Sequence, residues 1–165
     1  MTWSEIRRPI ALLAALAASA AGLAACSSLD SRPNVGPCPV VGALYDASRV
    51  VEVGEVERHE NVGFTGAIEG AQGFCRYVGD NPITMEIDID FAFGRGPAAE
   101  GDSKTYTYFV AVTRRDSVVL AKESFTVEAN FRDGQRELRK RERVGGIVIP
   151  RATETVSGTN FEVIV

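Results

Sequence analysis

Ile83-Thr84-Met85-Glu86-Ile87-Asp88-Ile89-Asp90-Phe91-Ala92-Phe93 alternates without a break between large apolar residues and polar or small ones. A period of two sustained over this run puts every second side chain on one face of an extended strand, so it predicts one buried face and one wet face. Ile87, Ile89 and Phe91 are expected inside, and Glu86, Asp88 and Asp90 outside. A slip of one residue would exchange the faces completely, which makes the assignment all or nothing. On this reading Ile89→Ala opens a cavity, while Asp88→Ala is nearly neutral.

The same period recurs on both sides of this run. Downstream, the stretch from Gly94 to Asp102 interrupts it, and Thr105 to Val112 resumes with Tyr106, Tyr108, Val110 and Val112 on one side. The two runs read as a long antiparallel pair. Val118 to Leu120, then Phe125, Val127, Ala129 and Phe131, supply further strand material, and Asp133-Gly134 marks a turn. Val144, Ile147 and Ile149, then Phe161, Val163 and Val165, close the chain. Upstream, Gly42 to Ser48 suits a helical turn, Val50, Val51 and Val53 a first short strand, and Val62, Phe64 and Ile68 a second. Gly70 to Gly73 reads as a turn into Phe74 to Val78. Seven to nine short strands with no long helix point to an all-β fold. An antiparallel β-sandwich of the immunoglobulin-like kind is expected, with a small barrel as the alternative.

The N-terminus follows a different pattern. Ile10 to Leu23 is apolar apart from Ser19 and follows Arg7-Arg8. The run is shorter than the about 20 residues needed to cross a hydrocarbon core of about 30 Å. A basic flank, a short apolar core and small residues before a cut describe an export signal. It ends in Leu23-Ala24-Ala25-Cys26, which resembles the lipobox of bacterial lipoproteins. The resemblance implies cleavage before Cys26 and acylation of its thiol and new N-terminus. Two or three acyl chains give lasting attachment without a transmembrane helix. Ser27 rather than Asp follows Cys26, which in that class implies the inner leaflet of the outer membrane, facing the periplasm. The segments are then a signal over 1–25, the lipidated cysteine with a Ser-, Pro- and Gly-bearing tether over 26–39, and a β-sandwich domain over 40–165.

Of 165 residues, 18 are basic and 22 acidic; removing Glu5, Arg7 and Arg8 with the signal leaves a net charge of −5. That balance gives no support to nucleic-acid binding, which favours a basic domain. Of the three cysteines, Cys26 is spent on lipid, which leaves Cys38 and Cys75. Two cysteines in an exported chain suggest one disulfide, with two free thiols as the alternative.

The domain also resembles small envelope lipoproteins of alphaproteobacteria. The resemblance rests on Cys38-Pro39-Val40-Val41, on Gly73-Phe74-Cys75-Arg76-Tyr77 and on the Arg95 to Ala99 loop. It implies a location and a β-rich body, and brings no activity.

Sharper motifs fail one by one. His59-Glu60 lacks the second histidine of a zinc-protease helix, and His59 is the only histidine in the chain. Gly94-x-Gly96-x-x-Ala99 imitates a dinucleotide fingerprint, but Pro97 sits inside it and a strand pattern follows where a helix is needed. Glu86, Asp88 and Asp90 lack the glycine-bearing turn of a calcium loop. Cys38, Cys75 and His59 have no zinc-finger spacing, and no Gly-x-Ser-x-Gly elbow is present. Arg132, Arg136, Arg139, Lys140, Arg141 and Arg143, mixed with Asp133, Glu137 and Glu142, read as a charged hairpin whose cross-strand pairs keep an edge soluble.

No catalytic residue, metal site or cofactor is therefore assigned beyond the lipid on Cys26. The expected function is that of a non-enzymatic envelope lipoprotein, held to the membrane by its acyl chains, that binds or helps assemble another envelope protein. The alternatives are a periplasmic module for a sugar, peptide or ion, with Arg95, Gly96 and Pro97 as a possible binding loop, and an enzyme with an unrecognised site.

Overall fold

Alternating runs become strands only where partners cover their apolar faces, and here they assemble into two layers. The computed structural model describes residues 36–78, 82–115, 118–153 and 155–165; Cys26, the signal and most of the tether lie outside them. Eight strands form: β1 (Val40–Gly42), β2 (Arg49–Val53), β3 (Val62–Tyr77), β4 (Ile83–Arg95), β5 (Ser103–Arg114), β6 (Val118–Asn130), β7 (Glu137–Ile149) and β8 (Phe161–Ile164). One sheet has the order β2-β3-β4-β7 and the other β1-β8-β5-β6. Every pairing is antiparallel except the short parallel one between β1 and β8. The sheets are not closed into a barrel, and the fold is the expected antiparallel β-sandwich. No described helix is long and apolar enough to cross a membrane.

The alternation in β4 is realised residue by residue. Ile83, Ile87 and Ile89 are fully buried, and Met85, Phe91 and Phe93 nearly so. From the other sheet Val110, Val112, Val127, Ala129, Phe161 and Val163 meet them in one core. Sixteen residues of β3 run without a turn, so Gly70 to Gly73 does not form the expected turn. A bulge between Ile68 and Gly70 shifts the register by one residue, and the pairing with β4 continues through Tyr77. Gly73 marks a close approach, since a Cβ there would stand 2.4 Å from Val41 Cγ2 and 2.7 Å from Met85 Cε.

Nor are β4 and β5 a pair. Both edges of β4 are already taken, by β3 and β7, so the chain crosses to the other sheet after Arg95. The crossing is pinned where Gly96 N–H donates to Gly63 O (2.7 Å) and Ala98 N–H to Val62 O (2.9 Å). The Arg-rich segment likewise crosses between sheets rather than forming a hairpin, and its β7 portion pairs with β4.

That pairing changes the outer face of β4. Asp88 points outward as its position requires, yet it is only 8 % exposed. The reason lies across the strand. Arg143 donates to both carboxylate oxygens of Asp88, at 2.6 and 2.9 Å, and Arg141 does the same to Asp90; Arg139 reaches Glu69 on β3. Such two-pronged pairs fix geometry as well as charge. Asp88 is therefore a partnered position and not the neutral surface site that alternation alone suggests.

Hydrogen bonds from Arg143 and Arg141, reinforced by their charge and opposed by desolvation, hold the Asp88 and Asp90 carboxyls below their ordinary values. A carboxyl whose pKa falls on folding stabilises the fold above its unfolded value of about 3.9 and loses that contribution as the pH drops through its folded value. Asp88→Asn is thus expected to lower the melting temperature at pH 7, with the gap to the parent protein shrinking as the pH falls below about 4. Melts across that range check it, and a gap that stays constant sinks the idea.

Candidate functional site

β5 is twelve residues long, but its β8 partner covers only Ala111 to Arg114. From Ser103 to Val110, β5 therefore has β6 on one side and, among the described residues, no strand on the other. In an antiparallel ladder alternate residues aim their N–H and C=O groups to opposite sides. Half of the backbone groups in this stretch consequently face an unfilled place in the sheet.

Beneath that place lies an apolar cleft of about 210 Å³, floored by Gly66 and Ile68 of β3 and by Phe91 and Phe93 of β4. Tyr106 and Tyr108 of β5 line one wall, and Val165 and the segment Ala47 to Val50 close another. The aromatic rings are fixed by one another: Phe93 stacks on Tyr106 with centroids 5.0 Å apart, and Phe91 meets Tyr108 edge-on at 5.1 Å. Tyr106 Oη donates to Thr65 O at 2.9 Å. Burial, with the nearby Glu52 charge, pushes this phenol up to about 12, so it stays a donor. Gly66 lets the Tyr106 ring lie against β3, because a Cβ there would come within 2.9 Å of the ring. The Ala47 to Val50 wall is held by Ile68 N–H donating to Ser48 O (2.8 Å) and by Ser48 Oγ donating to Tyr45 O (2.9 Å).

Size decides what such a cleft accommodates. An apolar cavity of about 150 Å³ holds a benzene ring, whereas pockets for drug-sized ligands run from about 300 Å³ upward. One large apolar side chain fits here.

The residues singled out in the sequence are dispersed. Cys38 and Cys75 are joined in a disulfide that ties the incoming segment to β3, and Pro39 is buried, so the packed domain begins before Val40. Arg95 and Gly96 lie in the packed crossing between sheets and Pro97 is exposed there. Arg95 pairs with Asp102 at 2.8 Å, and none of the three borders the cleft. His59 opens an exposed 3₁₀ turn, and no group of three or more His, Cys, Asp or Glu among the described residues is placed to hold a metal ion. The cleft itself escaped the sequence reading. The available signal was length, since the run from Phe161 to Val165 is too short to flank all of Ser103 to Arg114. No protein-family model, curated protein or solved structure matches this chain.

Proposed function

We propose that this protein is a non-enzymatic envelope lipoprotein, anchored through Cys26, that binds another envelope protein by accepting one extended segment along the open side of β5. The supporting observation is the unpaired stretch Ser103 to Val110 lying over an apolar cleft. Strand addition uses that combination: main-chain hydrogen bonds supply affinity and a pocket for alternate side chains supplies selectivity. The segment runs antiparallel to β5, in line with β8, and seats one large apolar side chain between Ile68, Phe91 and Tyr106. A binding module for a small ligand is the weaker reading: the cleft beside β5 is below the usual ligand volume, although the groove of about 560 Å³ bordered by Glu52, Asn61, Glu100 and Lys104 is within it.

A photo-crosslinking residue at Thr107, in cells, tests this. Peptide-level mass spectrometry should find it joined to an apolar-alternating segment of a different envelope protein, with no such product from the same residue at exposed Val148 on β7. Ala47→Trp, which fills the cleft from its wall, should abolish the product. Crosslinks only to a second copy of this chain, or a product that survives Ala47→Trp, would refute the proposal.

A further inference from the structure

Strand register shows what shares the end of the domain where the chain comes in. Val40 of β1 lies opposite Glu162 of β8, Glu162 opposite Thr113 of β5, and Thr113 opposite Val119 of β6. These four residues form one row across the sheet. One step further toward the β5–β6 connection, Arg114 is level with Phe161 and Val118. Hydrogen bonds close the same end: Arg115 N–H donates to Asn160 O (3.0 Å), Gly158 N–H to Tyr77 Oη (2.8 Å), and Tyr77 Oη to Pro37 O (2.6 Å). The chain arriving from Cys26 thus enters beside the β5–β6 connection.

That end carries exposed apolar side chains and two arginines, with Asp116 following Arg115 in the sequence. Val40, Val118, Val119 and Leu120 are 64, 52, 58 and 41 % exposed, and exposed Arg114 and Arg115 stand beside them, with Glu162 as the acidic member of the row. Apolar side chains flanked by arginines suit the boundary of a bilayer, where the side chains enter the headgroup layer and the guanidinium groups meet phosphates. The chain from Cys26 to Gly36 spans ten peptide units, at most about 35 Å. A weak contact suffices at so short a range, because attachment keeps the local concentration of the leaflet high.

We infer that this end of the sandwich docks on the anionic leaflet that holds the lipid, with Val118, Val119 and Leu120 in the headgroup layer and Arg114 and Arg115 on lipid phosphates. The open stretch of β5 then faces away from the bilayer. This rests on the anchoring at Cys26 proposed above. The only tryptophan is Trp3, upstream of Cys26, so the processed chain has none and a single substitution becomes a reporter.

Val119→Trp and, as control, Val51→Trp are purified from membranes and reconstituted in vesicles with brominated acyl chains. Val51 pairs with Thr65, which lies opposite Gly94 at the other end of the sandwich. In phosphatidylethanolamine–phosphatidylglycerol vesicles, Val119→Trp emission should shift to the blue and be quenched several-fold more than Val51→Trp emission. Adding Arg114→Glu and Arg115→Glu, or replacing the lipids by phosphatidylcholine, should remove the difference. Equal quenching at both positions, or a difference that survives charge reversal and neutral lipid, overturns the inference. Intact mass of the same samples reads the anchor separately. Absent acyl mass refutes the anchor and the docking that rests on it, whereas acyl mass present with equal quenching refutes the docking alone.

Discussion

Ile89→Ala is expected to destabilise the domain by about 2–5 kcal/mol, measured by denaturant unfolding. Ile89 is fully buried, midway along β4, with Ala71 opposite on β3 and Glu142 opposite on β7. Strands on both sides hold the backbone in place, so the site cannot collapse onto the missing methyl and methylene groups, and cavity cost adds to lost transfer energy. Val118→Ala, at an exposed position, should stay within about 0.5 kcal/mol of the parent. Equal and small effects from both would show that β4 does not have a buried face.

The second large effect belongs to the disulfide. Cys38 and Cys75 are separated by 37 residues, and closing a loop of that size restricts the unfolded chain by about 4 kcal/mol. Replacing both cysteines by serine is expected to lower the melting temperature by about 10–20 °C, at a few degrees per kcal/mol for a domain of this size. Scanning calorimetry of the oxidised parent and the double variant provides the comparison. An unchanged melting temperature would mean that the bridge does not restrict the unfolded chain in this way.

The sequence made strands legible where one face is dry. β4 announces itself because its two faces meet opposite solvents, and β5 does so from Tyr106 to Val112. β7 is obscure for the opposite reason. Arg139, Arg141 and Arg143 face outward beside Ala92, Asp90 and Asp88, while Lys140 and Glu142 stand opposite inward-facing Phe91 and Ile89. Charge on both faces erases the period, and Lys140 pairs with Glu142 at 2.7 Å. Inward charges at a sheet margin discourage pairing with another chain, so the feature that hides β7 in the sequence protects it in the fold.

Partner choice was not legible at all. Alternation says which residues share a face, but nothing in β4 or β5 records that they lie in different sheets. Gly73 looked like a turn residue because a glycine needed for close approach and one needed for a bend are written alike. The cleft depends on where β8 stops relative to β5. That is a property of register, which emerges only when both strands are placed.

The disulfide has a mechanical consequence. A pull on the chain ahead of Gly36 would act first on β1, three residues held by a single short parallel pairing. Cys38 lies two residues before β1, and its bond to Cys75 passes the tension directly into β3, the longest strand, where Cys75 is paired with Met85 of β4. A pull on that segment therefore loads the ladder of backbone hydrogen bonds between β3 and β4 and leaves β1 slack.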